Sequence, residues 1–283
     1  EMAHHIDVVL VDHDPATGLV DPTDLERKLS ARTAAVYLEN PSYLGLIESG
    51  APDLARLARA SGAETIVGVD PISLGVLAPP GAYGADIVVG TTQPLGVHMS
   101  CGGGVGGFIA TRDEERYARE YPTLLVSLFN TIEPGERGFG LTLFEQSSYG
   151  SRERGKDWTG NSVYLWTVAN AAYMALLGPQ GFVDLGELIL QQSHHAARRI
   201  GELPGIEVRY PAAFFKEFVV DFTGTGKTVA EIGRGLRSRG IFGGGDLSAS
   251  HPALGQCALY CVTEVHTADD IEWLVEALAE VTA

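Results

Sequence analysis

The first candidate for chemistry is Asp70, an aspartate at the end of a predicted strand. It follows the apolar run 64–69 and precedes Pro71, so its carboxylate is expected at the carboxyl edge of a parallel sheet, where ligands of such sheets bind. A carboxylate in that place could pair with the protonated ring nitrogen of a bound cofactor. The alternative is an ordinary turn residue at a strand end.

Pyridoxal phosphate is a cofactor that uses such an aspartate, because a protonated pyridine nitrogen makes the ring an electron sink. Enzymes of this kind also need a lysine a few tens of residues later, to hold the cofactor aldehyde as a Schiff base. The only lysines are Lys28, Lys156, Lys216 and Lys227, so the expected stretch has none. Gln93 and His98, which lie in that stretch, can donate hydrogen bonds but cannot form an aldimine. We therefore predict no catalytic residue in this chain.

Two further stretches could bind anions. The glycine-rich segment 101–107 could present backbone N–H groups to a phosphate, or it could be a plain tight turn. The stretch 152–161 is the most polar of the chain and precedes a predicted helix, a setting that suits anions. It contains Arg152, Lys156 and Thr159. The alternative is a solvated loop in which a residue such as Thr159 caps the helix.

Composition limits the classes of function. The chain has 283 residues, 45% of them hydrophobic, which is enough for one large domain or for a large and a small one. Its formal net charge is -16 and it has no basic patch, so we expect neither a nucleic-acid partner nor an anionic membrane. Without a bilayer-spanning apolar run or a signal in residues 1–7, we expect a cytoplasmic protein. Cys101, Cys257 and Cys261 lack the spacing of a zinc site, so we expect buried free thiols and no metal.

The elements that position these residues follow from hydrophobic patterning. In the first half, short apolar runs alternate with helical patterns, as is typical of a parallel sheet covered by helices. The patterns predict strands over residues 6–11, 33–38, 64–69 and 87–89, and helices over residues 21–30, 51–61 and 113–119. The glycine-rich segment is then expected to be a turn between paired strands, the second of them over residues 108–111.

The second half predicts two long helices and a compact unit. Residues 161–177 and 182–203 have helical patterns separated by Gly178-Pro179. Beyond them the patterns predict strands over residues 207–210, 217–222 and 258–262, and helices over residues 228–239 and 268–281. We therefore divide the chain into a large α/β domain over residues 1–205 and a small C-terminal α+β domain over residues 206–283.

Several motifs resemble a known family. The longest is the run 69–90, VDPISLGVLAPPGAYGADIVVG, which is soon followed by Gln93-Pro94-Leu95-Gly96. Shorter matches lie at residues 40–45, 137–143 and 175–181. Together these motifs resemble subunit 1 of decarboxylating glycine dehydrogenase, the P-protein of the glycine cleavage system, over nearly the whole chain.

The resemblance implies a type I pyridoxal-phosphate fold, with a mostly parallel large domain whose N-terminal part is missing here, and a small domain. It implies an oxidoreductase that decarboxylates glycine and passes the aminomethyl group to a lipoyl carrier protein. The family's enzyme is split, so a homologous subunit 2 would hold pyridoxal phosphate covalently through its lysine, and this chain would complete the partner's site. The implied cofactor-binding residues are Asp70, Gln93, His98, Arg152, Lys156 and Thr159.

Two departures from the family motifs leave alternatives open. The family's Arg-Glu-Lys-Ala-Thr-Ser-Asn stretch resembles a loop that reaches a neighbour's cofactor phosphate, and only Arg152 and Glu153 of it remain here. The glycine-rich turn has Cys101 and Gly104-Val105 where the family usually has an aromatic residue and proline. The chain could therefore be a non-catalytic scaffold or regulatory homologue, or a subunit of an enzyme that acts on another small amino acid.

Overall fold

A computed structural model describes residues 6–97, 106–121, 125–142, 148–155 and 163–283. Within these ranges the chain forms two four-stranded sheets and a two-stranded hairpin. The elements in chain order are α1 (Pro22–Lys28), β1 (Ala35–Glu39), α2 (Ala51–Ala60), β2 (Glu64–Val69), β3 (Ile87–Thr91), β4 (Gly107–Thr111), α3 (Glu115–Ala118), β5 (Leu125–Asn130), β6 (Arg137–Thr142), α4 (Ser148–Ser151), α5 (Tyr164–Gly201), β7 (Glu207–Val208), β8 (Glu217–Asp221), α6 (Val229–Arg237), β9 (Gly245–Asp246), β10 (Cys257–Cys261) and α7 (Ala268–Thr282).

The first sheet has the order β1-β2-β3-β4. Its first three strands are parallel, and β4 pairs antiparallel with β3. This confirms the predicted mostly parallel sheet and the predicted pairing of the two strands that flank the glycine-rich segment, most of which lies outside the described residues. Because the carboxyl ends of β1, β2 and β3 meet at one edge, the residues that follow them, Asn40, Asp70 and Thr92, lie along that edge.

Helices α1 and α2 cover one face of the first sheet. α1 begins where the sequence predicts, because the Asp21 side chain accepts a hydrogen bond from the Thr23 N–H at 2.8 Å and Pro22 occupies the first turn. The apolar side chains between helices and strands form a buried cluster: Leu25, Leu38, Ala51, Leu54, Val67, Val69 and Ala85.

The hairpin of β5 and β6 exposes an apolar face. In its antiparallel register Val126 pairs with Leu141 and Leu128 pairs with Phe139, so these four side chains lie on one face. Their exposed fractions are 66%, 57%, 59% and 80%, respectively. We call this group, Val126, Leu128, Phe139 and Leu141, the hairpin patch. Few soluble surfaces present four large apolar side chains side by side unless another polypeptide covers them.

The long helix α5 is broken once. Gly178 has φ 61° and ψ 177° inside it, followed by Pro179, so the helix direction changes where the sequence predicts a break. Its second half packs into the core beneath the second sheet through Ala196 and Ile200, and Ile189 lies in a separate buried cluster with Ile72, Leu95 and Phe215. In the part of the chain that is described, no helix combines the length and apolar character that crossing a membrane requires.

The second sheet has the order β7-β8-β10-β9, with every neighbouring pair antiparallel. Helices α6 and α7 each begin with a capping box, formed by Thr228 with Glu231 and by Thr267 with Asp270. The sheet and helices enclose the largest apolar core, which includes Phe218, Val220, Phe222, Ile232, Leu236, Tyr260, Ile271 and Leu278. The strands and helices predicted for this half are confirmed, and the domain boundary at residue 205 stays a prediction.

Two predictions about local structure are wrong, and one hairpin was missed. Residues 6–11 form no strand, and Val8 and Leu10 are 83% and 79% exposed, because an apolar run becomes a strand only beside a hydrogen-bonding neighbour. The β5–β6 hairpin was not predicted at all. Cys261 is exposed rather than buried because it lies at the open end of β10, whereas Cys257 is buried as expected and Cys101 lies outside the described residues.

Candidate functional site

Asp70 lies at the carboxyl edge of the first sheet, as expected. Its Oδ1 accepts a hydrogen bond from the Ile72 N–H at 2.9 Å. Its backbone carbonyl accepts from the Ser73 N–H at 3.1 Å and from the Ser73 hydroxyl at 2.7 Å. A tight turn after β2 therefore fixes the direction of this carboxylate.

A cation from the second sheet meets Asp70 at this edge. Lys216 Nζ contacts Asp70 Oδ2 and lies 3.7 Å from Glu217 Oε1. Lys216 immediately precedes β8, and its carbonyl accepts a hydrogen bond from the Val262 N–H at 2.9 Å. The Lys216 and Asp70 side chains are 21% and 13% exposed. A largely buried ion pair therefore joins the carboxyl edge of the first sheet to the second sheet.

Burial and charge act in opposite directions on this cluster. Burial disfavours the Lys216 ammonium, but the negative charges of Asp70 and Glu217 outweigh it and raise the pKa of Lys216. Burial raises the pKa of Glu217, and the Lys216 charge offsets only part of that increase. Although part of Cys261 is exposed, desolvation of its Sγ and the nearby Glu217 carboxylate raise the pKa of the thiol to about 12. At neutral pH the cluster thus holds a protonated amine and a protonated thiol, neither of which is a good nucleophile.

Gln93 lies in the turn that follows β3. Its N–H donates to Thr91 Oγ1 at 3.2 Å, and the Thr92 N–H donates to the Gly106 carbonyl at 3.0 Å. The buried Asn170 of α5 donates from Nδ2 to the Thr92 carbonyl at 3.2 Å. The turn that carries Gln93, and that stands where a Schiff-base lysine would be expected, is therefore held from both β4 and α5.

Arg152 begins a short 3-10 turn after α4. Its φ of 48° lies in the left-handed region, which residues other than glycine rarely adopt. Among the described residues, no hydrogen bond or ion pair joins Arg152 to Asp70 or to Gln93. The other predicted site residues, His98, Lys156 and Thr159, lie outside the described residues, as does most of the glycine-rich segment.

The described residues do not fit pyridoxal phosphate held by this chain alone. The carboxylate that would pair with the ring nitrogen is bonded to Lys216. The other described lysines are engaged elsewhere, since Lys28 pairs with Asp24 and Lys227 Nζ donates to the Val281 carbonyl at 2.9 Å. That the six residues named from the sequence bind the cofactor stays a prediction.

Lys216 and Glu217 are the residues of this site that sequence reasoning missed. The only signal is that two charged residues interrupt an apolar run, between Phe214-Phe215 and Phe218-Val219. Lys and Glu are almost never buried unless they are paired, so their place beside a buried strand indicates a partner elsewhere in the chain. The partner, Asp70, is far away in sequence and could not be named from this signal.

Comparison with known proteins supplies the family. The sequence model of the family named glycine cleavage system P-protein matches residues 2–278. The probable glycine dehydrogenase (decarboxylating) subunit 1 of Staphylothermus marinus is 36% identical over 278 residues, covering 98% of this chain and 59% of the relative. The chain therefore spans less than two thirds of the length of that curated relative.

Solved structures support the same family and its fold. The crystal structure of glycine decarboxylase, the P-protein of the glycine cleavage system, in inhibitor-bound form is 35% identical, with a TM-score of 0.79 over 90% of this chain and 56% of that chain. Sphingosine-1-phosphate lyase of Burkholderia pseudomallei is 17% identical, with a TM-score of 0.67 over 97% of this chain and 58% of that chain, and supports the fold alone. The fold is the type I fold of pyridoxal-phosphate-dependent enzymes, as the motifs implied. By sequence and by fold, this chain belongs to the glycine cleavage system P-protein family.

Proposed function

We propose that this chain is a subunit of a glycine-decarboxylating oxidoreductase of the glycine cleavage system. In this proposal pyridoxal phosphate is held covalently by a homologous, lysine-bearing subunit 2, and the aminomethyl group passes to a lipoyl carrier protein. The complex is a cytoplasmic heteromer that binds neither nucleic acid nor membrane. Two relatives support the divided arrangement, because each is named subunit 1 of glycine dehydrogenase (decarboxylating).

The observation that carries the proposal is the place of the lysines. The stretch from Asp70 to Gly155 has none, and Lys216, which does reach Asp70, is tied up in an ion pair. A P-protein needs an amine that can form an aldimine with the cofactor. In this proposal the amine comes from a second subunit.

The hairpin patch supports a large protein partner. Its four apolar side chains form a contiguous exposed face, and specific interfaces bury such faces at their centres. A homologous subunit is the occupant that the proposal requires. In this proposal the polar stretch 152–161 reaches the partner's cofactor, and Arg152, Lys156 and Thr159 are the candidates for binding its phosphate. Gln93 and His98 are further candidates for binding the cofactor.

Reconstitution with a lysine-bearing homologue tests the divided site. The chain is purified alone and co-expressed with the homologue, pyridoxal phosphate is added, and visible absorption is recorded before and after borohydride reduction. We expect an aldimine band and glycine-dependent carbon dioxide exchange only with the partner, and mass spectrometry should locate the reduced label on the partner. A band from the lone chain, with the label on one of its own four lysines, would contradict the proposal.

Substitution in the hairpin patch tests the partner surface. Leu128→Glu places a charge at the centre of the patch and should weaken the complex by about 2 kcal/mol or more, because an unpaired charge would be buried. Val265→Glu is the matched control, since Val265 is 72% exposed near the second sheet. Affinities are measured by titration with the labelled homologue. Equal losses for both variants would mean that the patch is not the interface.

A non-catalytic scaffold is the second candidate, and the Lys216–Asp70 pair favours it, because that pair occupies the group expected to serve a cofactor. Arg152→Ala separates the two functions. If this chain completes the partner's site, turnover should fall by about tenfold or more while the complex still forms, as expected for loss of a charged phosphate contact. A scaffold would leave turnover unchanged.

A further inference from the structure

We propose that Lys216 is a built-in counter-ion of Asp70 that prevents a cationic ring, such as that of pyridoxal phosphate, from binding at the Asp70 end of the first sheet. Lys216 would then be a specificity-determining residue that excludes the cofactor from this chain. The inference goes beyond the proposed function, because it concerns the Asp70 edge of this chain whether or not a partner subunit exists.

The first argument is that both oxygens of the Asp70 carboxylate are engaged. Oδ2 contacts Lys216 Nζ, and Oδ1 accepts from the Ile72 N–H at 2.9 Å. A protonated ring nitrogen needs a carboxylate oxygen as its acceptor, and the strongest acceptor at this edge already faces an ammonium. The carboxylate retains further lone pairs, but a cationic ring that bound them would lie beside the Lys216 ammonium, and repulsion between these two positive charges disfavours that contact unless Lys216 moves away.

The second argument is that the backbone beneath Lys216 is held on both sides. The Phe215 N–H donates to the Gly45 carbonyl at 3.1 Å, and the Phe215 carbonyl accepts from the Ser193 hydroxyl at 2.6 Å. The Lys216 carbonyl accepts from Val262, which extends the sheet. With its Cα fixed and its side chain only 21% exposed, the ammonium has little room to leave Asp70.

The third argument is the cost of separating the pair. A displaced Lys216 would remain next to Glu217 without Asp70, and removing one partner of a largely buried pair leaves a poorly compensated charge. The raised pKa of Lys216, caused by Asp70 and Glu217 against the effect of burial, also keeps the amine protonated. A protonated amine does not attack an aldehyde, so Lys216 does not act as a Schiff-base lysine.

Binding of pyridoxamine 5′-phosphate to the full chain tests the inference. This probe has the ring and phosphate of the cofactor but no aldehyde, so it cannot react with any lysine. Lys216→Met keeps most of the side-chain volume and removes the charge, which frees the Asp70 carboxylate for the ring nitrogen. We expect the probe, followed by its fluorescence, to bind Lys216→Met about tenfold to a hundredfold more tightly than the unaltered chain, as gain of one charge-assisted hydrogen bond predicts.

Two matched variants test whether the gain in probe affinity comes from loss of the ion pair. Lys216→Arg keeps a cation beside Asp70 and should bind the probe as weakly as the unaltered chain. Combining Asp70→Asn with Lys216→Met removes the carboxylate acceptor and should abolish the gain, and this double variant leaves no unpaired carboxylate at position 70. Circular dichroism and thermal unfolding confirm that each variant is folded.

The possible outcomes separate clearly. A gain in Lys216→Met that is absent from the arginine variant and from the double variant supports the inference. The inference is overturned if folded Lys216→Met shows no gain in probe affinity, or if the gain persists in the double variant. In either case something other than the ion pair would determine whether the probe binds. Reductive labelling of Lys216 by pyridoxal phosphate in the unaltered chain would overturn it as well.

Discussion

The two four-stranded sheets of this protein differ in how completely their faces are covered by other elements. In β8 of the second sheet, Phe218, Val219 and Val220 are buried in succession, and since successive side chains point to opposite faces, both faces of that strand are covered. In the first sheet Leu38 of β1 is buried, but its neighbour Tyr37 is 56% exposed, and Ile109 of β4 is 54% exposed. Among the described residues, the apolar cluster under α1 and α2 covers one face of this sheet, and side chains such as Tyr37 stay exposed.

This difference indicates a division of roles. The second sheet stabilises the fold, and the first sheet presents the residues expected to bind a ligand. The second sheet and its helices form a continuous apolar core, to which Leu44 and Leu46 from the first half of the chain also contribute. The first sheet and the β5–β6 hairpin keep apolar side chains at the surface, and the first sheet carries the candidate site at its carboxyl edge. Binding and catalytic residues are commonly presented on less stable elements that a rigid neighbour positions.

The two regions are joined by a short segment next to the site. Leu46 forms an isolated antiparallel bridge with Phe214, and the Ile47 N–H donates to the Ala213 carbonyl at 2.8 Å. Together with the ion pair of Asp70 and Lys216, this segment places the second sheet against the carboxyl edge of the first. The contrast between the sheets, and the tightness of the join, can each be tested by substitution.

The largest effect is expected in the completed core. Phe218 is 1% exposed and its ring lies 5.3 Å from that of Phe214, so Phe218→Ala should lower the free energy of unfolding by about 3–5 kcal/mol through lost burial and a cavity. Phe139→Ala, at a side chain that is 80% exposed in the hairpin patch, should cost about 0.5 kcal/mol or less. Urea unfolding followed by circular dichroism measures both. Comparable losses at the two positions would remove the contrast on which the comparison rests.

The second effect concerns the join. Gly45 has φ 84°, and a Cβ there would lie 1.9 Å from the Glu217 carbonyl oxygen, so Gly45→Ala should cost about 3 kcal/mol through steric overlap and backbone strain. Gly135, in the hairpin turn, has the same φ of 84° with no atom within 4 Å of a Cβ. Gly135→Ala should therefore cost only about 1 kcal/mol, the strain term alone. If thermal unfolding gives the same loss for both, the contact between Gly45 and Glu217 is not tight.

The smallest effect is a pH dependence at the same join. Burial raises the pKa of Glu217 in the folded chain, so the stability that this group contributes is present below its unfolded pKa and is lost as pH rises through its folded pKa. The substituted side chain of the variant Glu217→Gln is neutral at both pH values. The free energy of unfolding of this variant, relative to that of the unaltered chain, should therefore increase by about 1 kcal/mol or less from pH 4 to pH 7. Urea unfolding at both pH values provides the comparison. A variant that loses stability relative to the unaltered chain as pH rises would mean that Glu217 is stabilised as a carboxylate.

Local patterns predicted most elements because the forces behind them are local. Strand β2 has the predicted bounds, 64–69, since an apolar run between Gly62 and Pro71 leaves little choice. The N-cap at Asp21 and the break at Gly178 follow from side-chain capping and from the geometry of glycine before proline. The hairpin was missed because β6 alternates glycine with other residues, a pattern that has little strand propensity of its own.

By itself, the sequence determined the α/β class, the mostly parallel first sheet, the place of Asp70 at a strand end and the absence of a lysine where a Schiff base would need one. All of these depend on residues that are neighbours along the chain. Only the tertiary structure decided that Lys216 meets Asp70 and that Gly45 lies against Glu217. Those contacts join residues more than 140 positions apart, and no local pattern encodes them, because the packing of one sheet against another brings them together.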